Sequence, residues 1–336
     1  MSKKTQQSIL DYIDDNGSAT GPELADFLGV TRQAVSPHLR RLLADSKIVK
    51  TGSTRAARYF PFKSAAPARA LKRNLAIRGL DESAVYEHIA IALTLSQLPD
   101  PVESIVHYAF TELLNNAIDH SMSERCTVEV RLEAIRTTFA IRDTGVGVFY
   151  SIADKLGLQN EHDAMIELIK GKTTTQPHAH SGEGIFFVSR AADRFLLRSH
   201  RLQIEWDNKR ADVFVSEPRF LKGTLASFEI ARNSRTRLEN VFAEFAPEAY
   251  DFQFRKTRVL VKLLRQDYMS RSEARRLLHN LEKFSEIELD MRDVQNLGQG
   301  FADEVFRVFA TAHPDIVVRF VNASDAVTAM IKHVSR

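Results

Sequence analysis

Glu112-Leu113-Leu114-Asn115-Asn116-Ala117-Ile118-Asp119-His120 closes a stretch, from about Val102 to Ser121, whose apolar residues recur at helical spacing. Glu112 and Asn116 are four apart, so their side chains stand side by side on one helix face. A carboxylate beside an amide oxygen can hold Mg²⁺ and orient a nucleophile at its edge. Three further stretches carry related chemistry. Ile141-Arg142-Asp143-Thr144-Gly145-Val146-Gly147 ends a strand in a carboxylate, then supplies two glycines that let a flat ligand approach the backbone. Ser181-Gly182-Glu183-Gly184 opens a helix whose free N–H groups suit phosphate oxygens. Lys222-Gly223-Thr224 begins another strand. Taken singly, each reads more simply as a solvated helix face or a turn. Their order, each on the element its chemistry needs, makes them a set.

That ordered set resembles the nucleotide-binding fold shared by DNA gyrase, the Hsp90 chaperones, sensor histidine kinases and the mismatch-repair ATPase MutL (the GHKL, or HATPase, fold), over roughly residues 80–232. The resemblance implies an α/β sandwich with a mixed, mostly antiparallel sheet that binds ATP and Mg²⁺ between helices and a flexible lid. By motif it implies that Asn116 coordinates Mg²⁺ and that Glu112 is the general base. It implies that Asp143 accepts from the adenine amino group, with Gly145 and Gly147 shaping the base pocket. Gly182 and Gly184 would cradle the phosphates, and Thr224 would support the adenine end. Lys170 and Lys172 would lie in the lid and reach the β- and γ-phosphates. His107, about one turn before Glu112, reads as a core or partly buried histidine rather than a phosphoacceptor. With no dimerising hairpin upstream, an ordinary histidine kinase is disfavoured. The compact size looks instead like the serine kinases that bind sigma factors in bacterial partner-switching.

Upstream, residues 1–63 read helix, helix, turn, helix, hairpin. Ala19-Thr20-Gly21-Pro22 starts a helix that ends at Gly29, and Thr31 caps the next. Two β-prone pieces follow, separated by Thr51-Gly52-Ser53. The order resembles winged helix-turn-helix transcription factors. In that resemblance Arg32, Gln33 and Ser36 reach base edges from the start of the recognition helix; Pro37 inside it costs one helical hydrogen bond unless it falls within about the first turn. Arg40, Arg41, Lys47, Lys50, Arg55 and Arg58 meet phosphates, the last two from the wing.

Downstream, residues 252–336 alternate β-α-β-α-β-α, which argues a sheet with helices on it. Glu288-Leu-Asp-Met-Arg-Asp-Val-Gln-Asn-Leu-Gly-Gln-Gly-Phe-Ala-Asp-Glu304 resembles the STAS-like fold of anti-sigma-factor antagonists, of the DUF4325 kind. In that fold a serine at a helix start is the phosphoacceptor; here Gly300 stands in its place. Asp303-Glu304 fits either a solvated face or an interaction patch.

The chain has 336 residues, 44% apolar and 26% charged, enough for two or three cores. Cys126 is the single cysteine, which excludes a disulfide framework or a thiolate zinc cluster and points to a cytoplasmic chain. The net charge of +3 is uneven: residues 1–78 carry +8 and the remainder −5, so a polyanion belongs at the N-terminal end.

The fold class expected is α+β multidomain: winged helix-turn-helix at 1–63, linker at 64–79, GHKL-type domain at 80–232, connector at 233–251 and STAS-like domain at 252–336. The function expected is a cytoplasmic regulator that binds Mg·ATP and duplex DNA, nucleotide state modulating DNA or partner binding. Two alternatives stand beside it: a serine/threonine kinase of the partner-switching kind, and an ATP-dependent effector in defence or repair. A protein partner on the STAS-like domain and a homodimer are further partners this organisation allows; no membrane is expected.

Overall fold

The computed structural model describes residues 2–45, 47–51, 57–61, 69–171, 182–251, 253–263 and 267–335. Lys172, Ser181, Arg55, the Gly52-Ser53 turn and the first residues of the expected linker lie outside the described residues.

Two threonines set the N-terminal helices. After α1 (Ser2–Asn16) and the short β1 (Ala19–Thr20), the Thr20 side chain accepts from Glu23 N while the Glu23 carboxylate accepts from Thr20 N. This reciprocal pair starts α2 (Gly21–Leu28), which Gly29 closes at φ 65°. Thr31 caps α3 (Arg32–Ala44), and the helix runs on through Pro37. β2 (Ile48–Thr51) and β1 flank β3 (Arg58–Pro61) in an antiparallel sheet. Ile9, Ile13, Leu24, Val35, Leu39, Leu42 and Ile48 form a core separate from the rest of the chain.

A second sheet follows. Its elements are β4 (Arg69–Ala76), α4 (Glu82–Leu93), α5 (Asp100–His120), β5 (Arg125–Leu132), β6 (Arg136–Asp143), α6 (Val148–Leu156), α7 (Glu161–Lys170), α8 (Gly184–Ala191), β7 (Arg194–His200), β8 (Leu202–Asp207), β9 (Asp212–Ser216) and β10 (Leu221–Ala231). The strand order is β4-β5-β6-β10-β7-β8-β9, every neighbouring pair antiparallel. Along β5 and β6 burial alternates, so one face is core and the other is not. Phe139, Phe228, Phe195 and Trp206 stand in one register row across β6, β10, β7 and β8. Rings stack at 4.9 Å (Phe139–Phe228) and 5.3 Å (Phe195–Trp206), and such a row fixes register because a one-residue slip would turn all four outward. The linker expectation needs correcting here: Arg69–Ala76 is the edge strand of this sheet. Only Leu71 and Leu75 are even partly buried along it, so the sequence offers no strong alternation to read.

The third part holds α9 (Leu238–Phe245), β11 (Lys256–Leu260), β12 (Asp267–Tyr268), α10 (Arg271–Leu278), β13 (Glu286–Asp290), β14 (Asn296–Leu297), α11 (Gln299–Asp303), a π-helical stretch (Glu304–Phe309), α12 (Ala310–Ala312), β15 (Val317–Val321) and α13 (Asp325–Val334). β11, β13 and β15 are parallel, as a β-α-β-α-β alternation requires. Asp303 and Glu304, only 9% and 6% exposed, are neither a solvated face nor a patch. Arg271 binds Asp303 at 2.7 Å and Arg275 binds Glu304 at 2.7 Å, tying α10 to the next helix.

The last two parts share one continuous core. Phe186 and Phe187 of α8 meet Phe254 at 4.6 and 5.1 Å between ring centroids, and Phe186 meets Phe245 of α9 at 4.9 Å. The expected connector at 233–251 is therefore partly a packed helix.

Candidate functional site

Asp143 ends β6 and is 4% exposed. Its Oδ1 accepts from Gly145 N at 2.9 Å and from Thr224 N at 3.2 Å. The Thr224 hydroxyl accepts in turn from Val148 N at 3.0 Å. Burial pushes the Asp143 carboxyl up from its ordinary value, and the two amides and the Thr224 hydroxyl pull against that rise. This close approach of β10 to β6 needs Gly223: its φ is +78°, and a Cβ there would stand 2.4 Å from Asp143 O.

Gly145 and Gly147 do something other than make room for a flat ligand. A Cβ on Gly145 would lie 1.7 Å from Ser121 O, and one on Gly147, at φ +85°, would lie 2.5 Å from Ser199 Oγ. Val146 N donates to that same Ser121 O at 2.8 Å. The two glycines let the loop dock onto the end of α5 and onto β7. Neither faces the cavity described next.

Glu112, Asn116, Asp143, Gly182, Gly184 and Thr224 all face one cavity of about 290 Å³. Asn116 Nδ2 donates to Glu112 O at 2.8 Å, which commits the amide nitrogen and keeps Oδ1 as the acceptor. Gly182, at φ +73°, precedes α8, so the start of that helix meets the α5 face bearing Glu112. Ser151 and Ile152 of α6 and Leu168 of α7 also line the cavity. None of the three carries a motif: Ile152 and Leu168 show only as members of an apolar helix face, and Ser151 shows no signal at all.

Lys170 is a correction. It is 1% exposed, and Nζ donates to Glu167 Oε1 at 2.7 Å and to His279 O at 2.8 Å. It faces α10 rather than the cavity, because α7 packs between the two parts of the shared core. His107 is exposed on α5, not buried, and its ring stacks on Tyr86 at 4.2 Å.

Among the described residues no group of three or more His, Cys, Asp or Glu could hold a metal by itself. Mg²⁺ rarely needs such a cage, since it keeps waters and takes one or two protein oxygens besides substrate phosphates. Glu112 and Asn116 supply a donor set of that kind.

On the winged domain Arg32, Gln33, Ser36, Arg40 and Arg41 are exposed along α3, as are Lys47 and Lys50. Arg58 is a second correction. Its Nη1 donates to Ser18 Oγ at 2.8 Å and its Nη2 pairs with Glu23 at 3.4 Å, so it ties β3 to α2.

The architecture is thus α+β and multidomain, with mixed parallel and antiparallel sheets. Residues 3–49 match the family of winged helix-turn-helix DNA-binding domains. Residues 273–328 match the STAS-like domain of unknown function DUF4325. Both matches lie outside residues 80–232. Among curated proteins, none matches the chain. No helix among the described residues is long and apolar enough to cross a membrane.

Proposed function

We propose that this chain is a nucleotide-responsive DNA-binding regulator, in which a GHKL-type pocket takes Mg·ATP and α3 of the winged domain takes duplex DNA. The observation that carries the first half is the convergence of Glu112, Asn116, Asp143, Gly182, Gly184 and Thr224, from four separated stretches, on one cavity. The residues fit the ligand. Asp143 is a buried acceptor held by two amides, as an adenine amino group requires. Asn116 offers Oδ1 to Mg²⁺, and α8 brings its N-terminal amides to where phosphates would be received. Bound Mg·ATP supplies a transferable phosphoryl group; Glu112 places a carboxylate at the cavity wall that can take a proton from water or a hydroxyl.

The second half rests on the exposed basic and amide side chains of α3 and on the family match over 3–49. The winged domain touches the pocket-bearing domain just beyond β10, the strand of Thr224: Asn233 Nδ2 donates to Ser18 Oγ at 3.5 Å. Fluorescence anisotropy of full-length protein on duplex DNA, with and without Mg²⁺ and a non-hydrolysable ATP analogue, tests the whole reading. DNA affinity should change on adding nucleotide. Nucleotide binding without any DNA binding would turn the reading to a protein kinase with a protein-docking winged domain.

A further inference from the structure

Across their junction the two C-terminal parts exchange helix caps: Lys170 of α7 caps the end of α10, and Thr257 of β11 caps the end of α7. An α-helix ends with carbonyls that have no partner inside it. At the end of α10 the carbonyls of Arg276 and His279 accept from Lys170 Nζ at 3.3 and 2.8 Å. Lys170 itself ends α7, and its own carbonyl accepts from Thr257 Oγ1 of β11 at 2.7 Å. Glu167, one turn earlier, completes the exchange: its Oε1 binds Lys170 and its Oε2 accepts from Asn280 Nδ2 at 2.8 Å. Lys170 and Thr257 are 1% and 0% exposed, so these bonds are shielded from competing water.

On the other side of this junction, α7 and α8 both pack against the C-terminal part and also build the pocket. α7 contributes Leu168 to the cavity wall. α8 begins at Gly184, in the cavity, and carries Phe186, which packs on Phe254. Its last turn places Arg190 over the Phe186 and Phe245 rings, at 5.0 and 5.8 Å, and Nη2 donates to Arg258 O of β11 at 3.4 Å. Gly171 lies between the two helices, where a Cβ would meet Phe254 at 2.8 Å and Phe186 at 3.0 Å.

Resting on the nucleotide reading above, we propose that the STAS-like domain regulates the pocket through this exchange of caps. Nucleotide occupancy and the packing of α10 and β11 are two readings of one linked equilibrium, and whatever shifts one shifts the other by the same factor. Lys170 and Thr257 are the positioning residues of that linkage.

Hydrogen exchange by mass spectrometry on the full chain, with Mg²⁺ and a non-hydrolysable ATP analogue, tests it. In the wild type, segments of α5 and β6 and segments of α10 and β11 should all slow, the latter by about fivefold or more. Thr257→Val keeps the shape of the side chain and removes the donor. Asn280→Gly accepts the positive φ of 63° found there and removes only the amide. Either variant should keep pocket protection and lose the response at α10, and Thr257→Ser should restore it. Slowing at α5 and β6 with no response at α10 in the wild type would overturn the inference and leave the nucleotide reading intact, as would an undiminished response in both variants. No slowing anywhere would overturn the nucleotide reading and this inference with it.

Discussion

The Cα of Gly184 lies against the carboxylate of Glu112, so close that a Cβ on Gly184 would stand 2.0 Å from Oε2. The atom in the way is the end of a flexible side chain. Gly184→Ala should therefore push the Glu112 carboxylate aside and spare the fold. The melting temperature should stay within a few degrees of wild type while any Glu112-dependent nucleotide turnover falls. At Gly145 the obstacle is the Ser121 backbone carbonyl, so Gly145→Ala should lower the melting temperature by many degrees. Thermal melts of the two variants, side by side, check the contrast.

Asp143 should reveal itself through pH. Its folded value is raised from 3.8, chiefly by burial. Stability owed to the protonated form is fully present below the unfolded value and is lost as pH rises through the folded one. Asp143→Asn, which has no charge to bury and keeps an oxygen for the two amides, should therefore gain stability relative to wild type as pH climbs from about 4 towards 7. Melting temperatures across that range measure the difference. A constant difference would mean that Asp143 is not titrating as a buried acid.

Cys126 pairs in register with Asp143, and burial pushes its thiol up to about 11. The thiolate is the reactive form, so native protein at pH 8 should resist alkylation and label only as this sheet opens. Mass spectrometry after iodoacetamide treatment, in native buffer and in denaturant, reads this directly. Rapid native labelling would show that β5 is not packed as described.

How legible was this in the sequence? The cavity residues were, because Glu112/Asn116, Asp143, Gly182/Gly184 and Thr224 each carry a local signature tied to one element. The caps of α2 and α3 were equally plain, since Thr20, Gly29 and Thr31 act within a few residues of themselves. Lys170 was not. Beside Gly171 and a run of three threonines it reads as a phosphate ligand, yet besides Glu167 its partners are 106 and 109 residues away and are set by packing. Arg58 misled in the same way: its charge and its place on the wing suggested phosphate, while Ser18, 40 residues earlier, claims it. The edge strand β4 stayed hidden because most of its residues face solvent on both sides and leave no alternation to read.

The winged domain should separate its two kinds of contact. Arg40→Ala or Arg41→Ala should weaken binding to every duplex and flatten the salt dependence by about one unit each. Arg32→Ala or Gln33→Ala should instead cost about 1–3 kcal/mol on a preferred site only. Arg58→Ala should change the salt slope little, since that side chain is engaged by Ser18 and Glu23. Anisotropy titrations at several salt concentrations distinguish the three classes.

The central claim is that one cavity takes Mg·ATP through Asp143 and Asn116. Titration calorimetry of the full chain with Mg²⁺ and a non-hydrolysable ATP analogue tests it most directly. Wild type should bind one nucleotide per chain. Asp143→Ala should weaken binding by about 2 kcal/mol, a factor of about thirty. Asn116→Ala should lose the dependence on Mg²⁺. Wild-type affinity in both variants, or no heat from the wild type itself, would contradict the account.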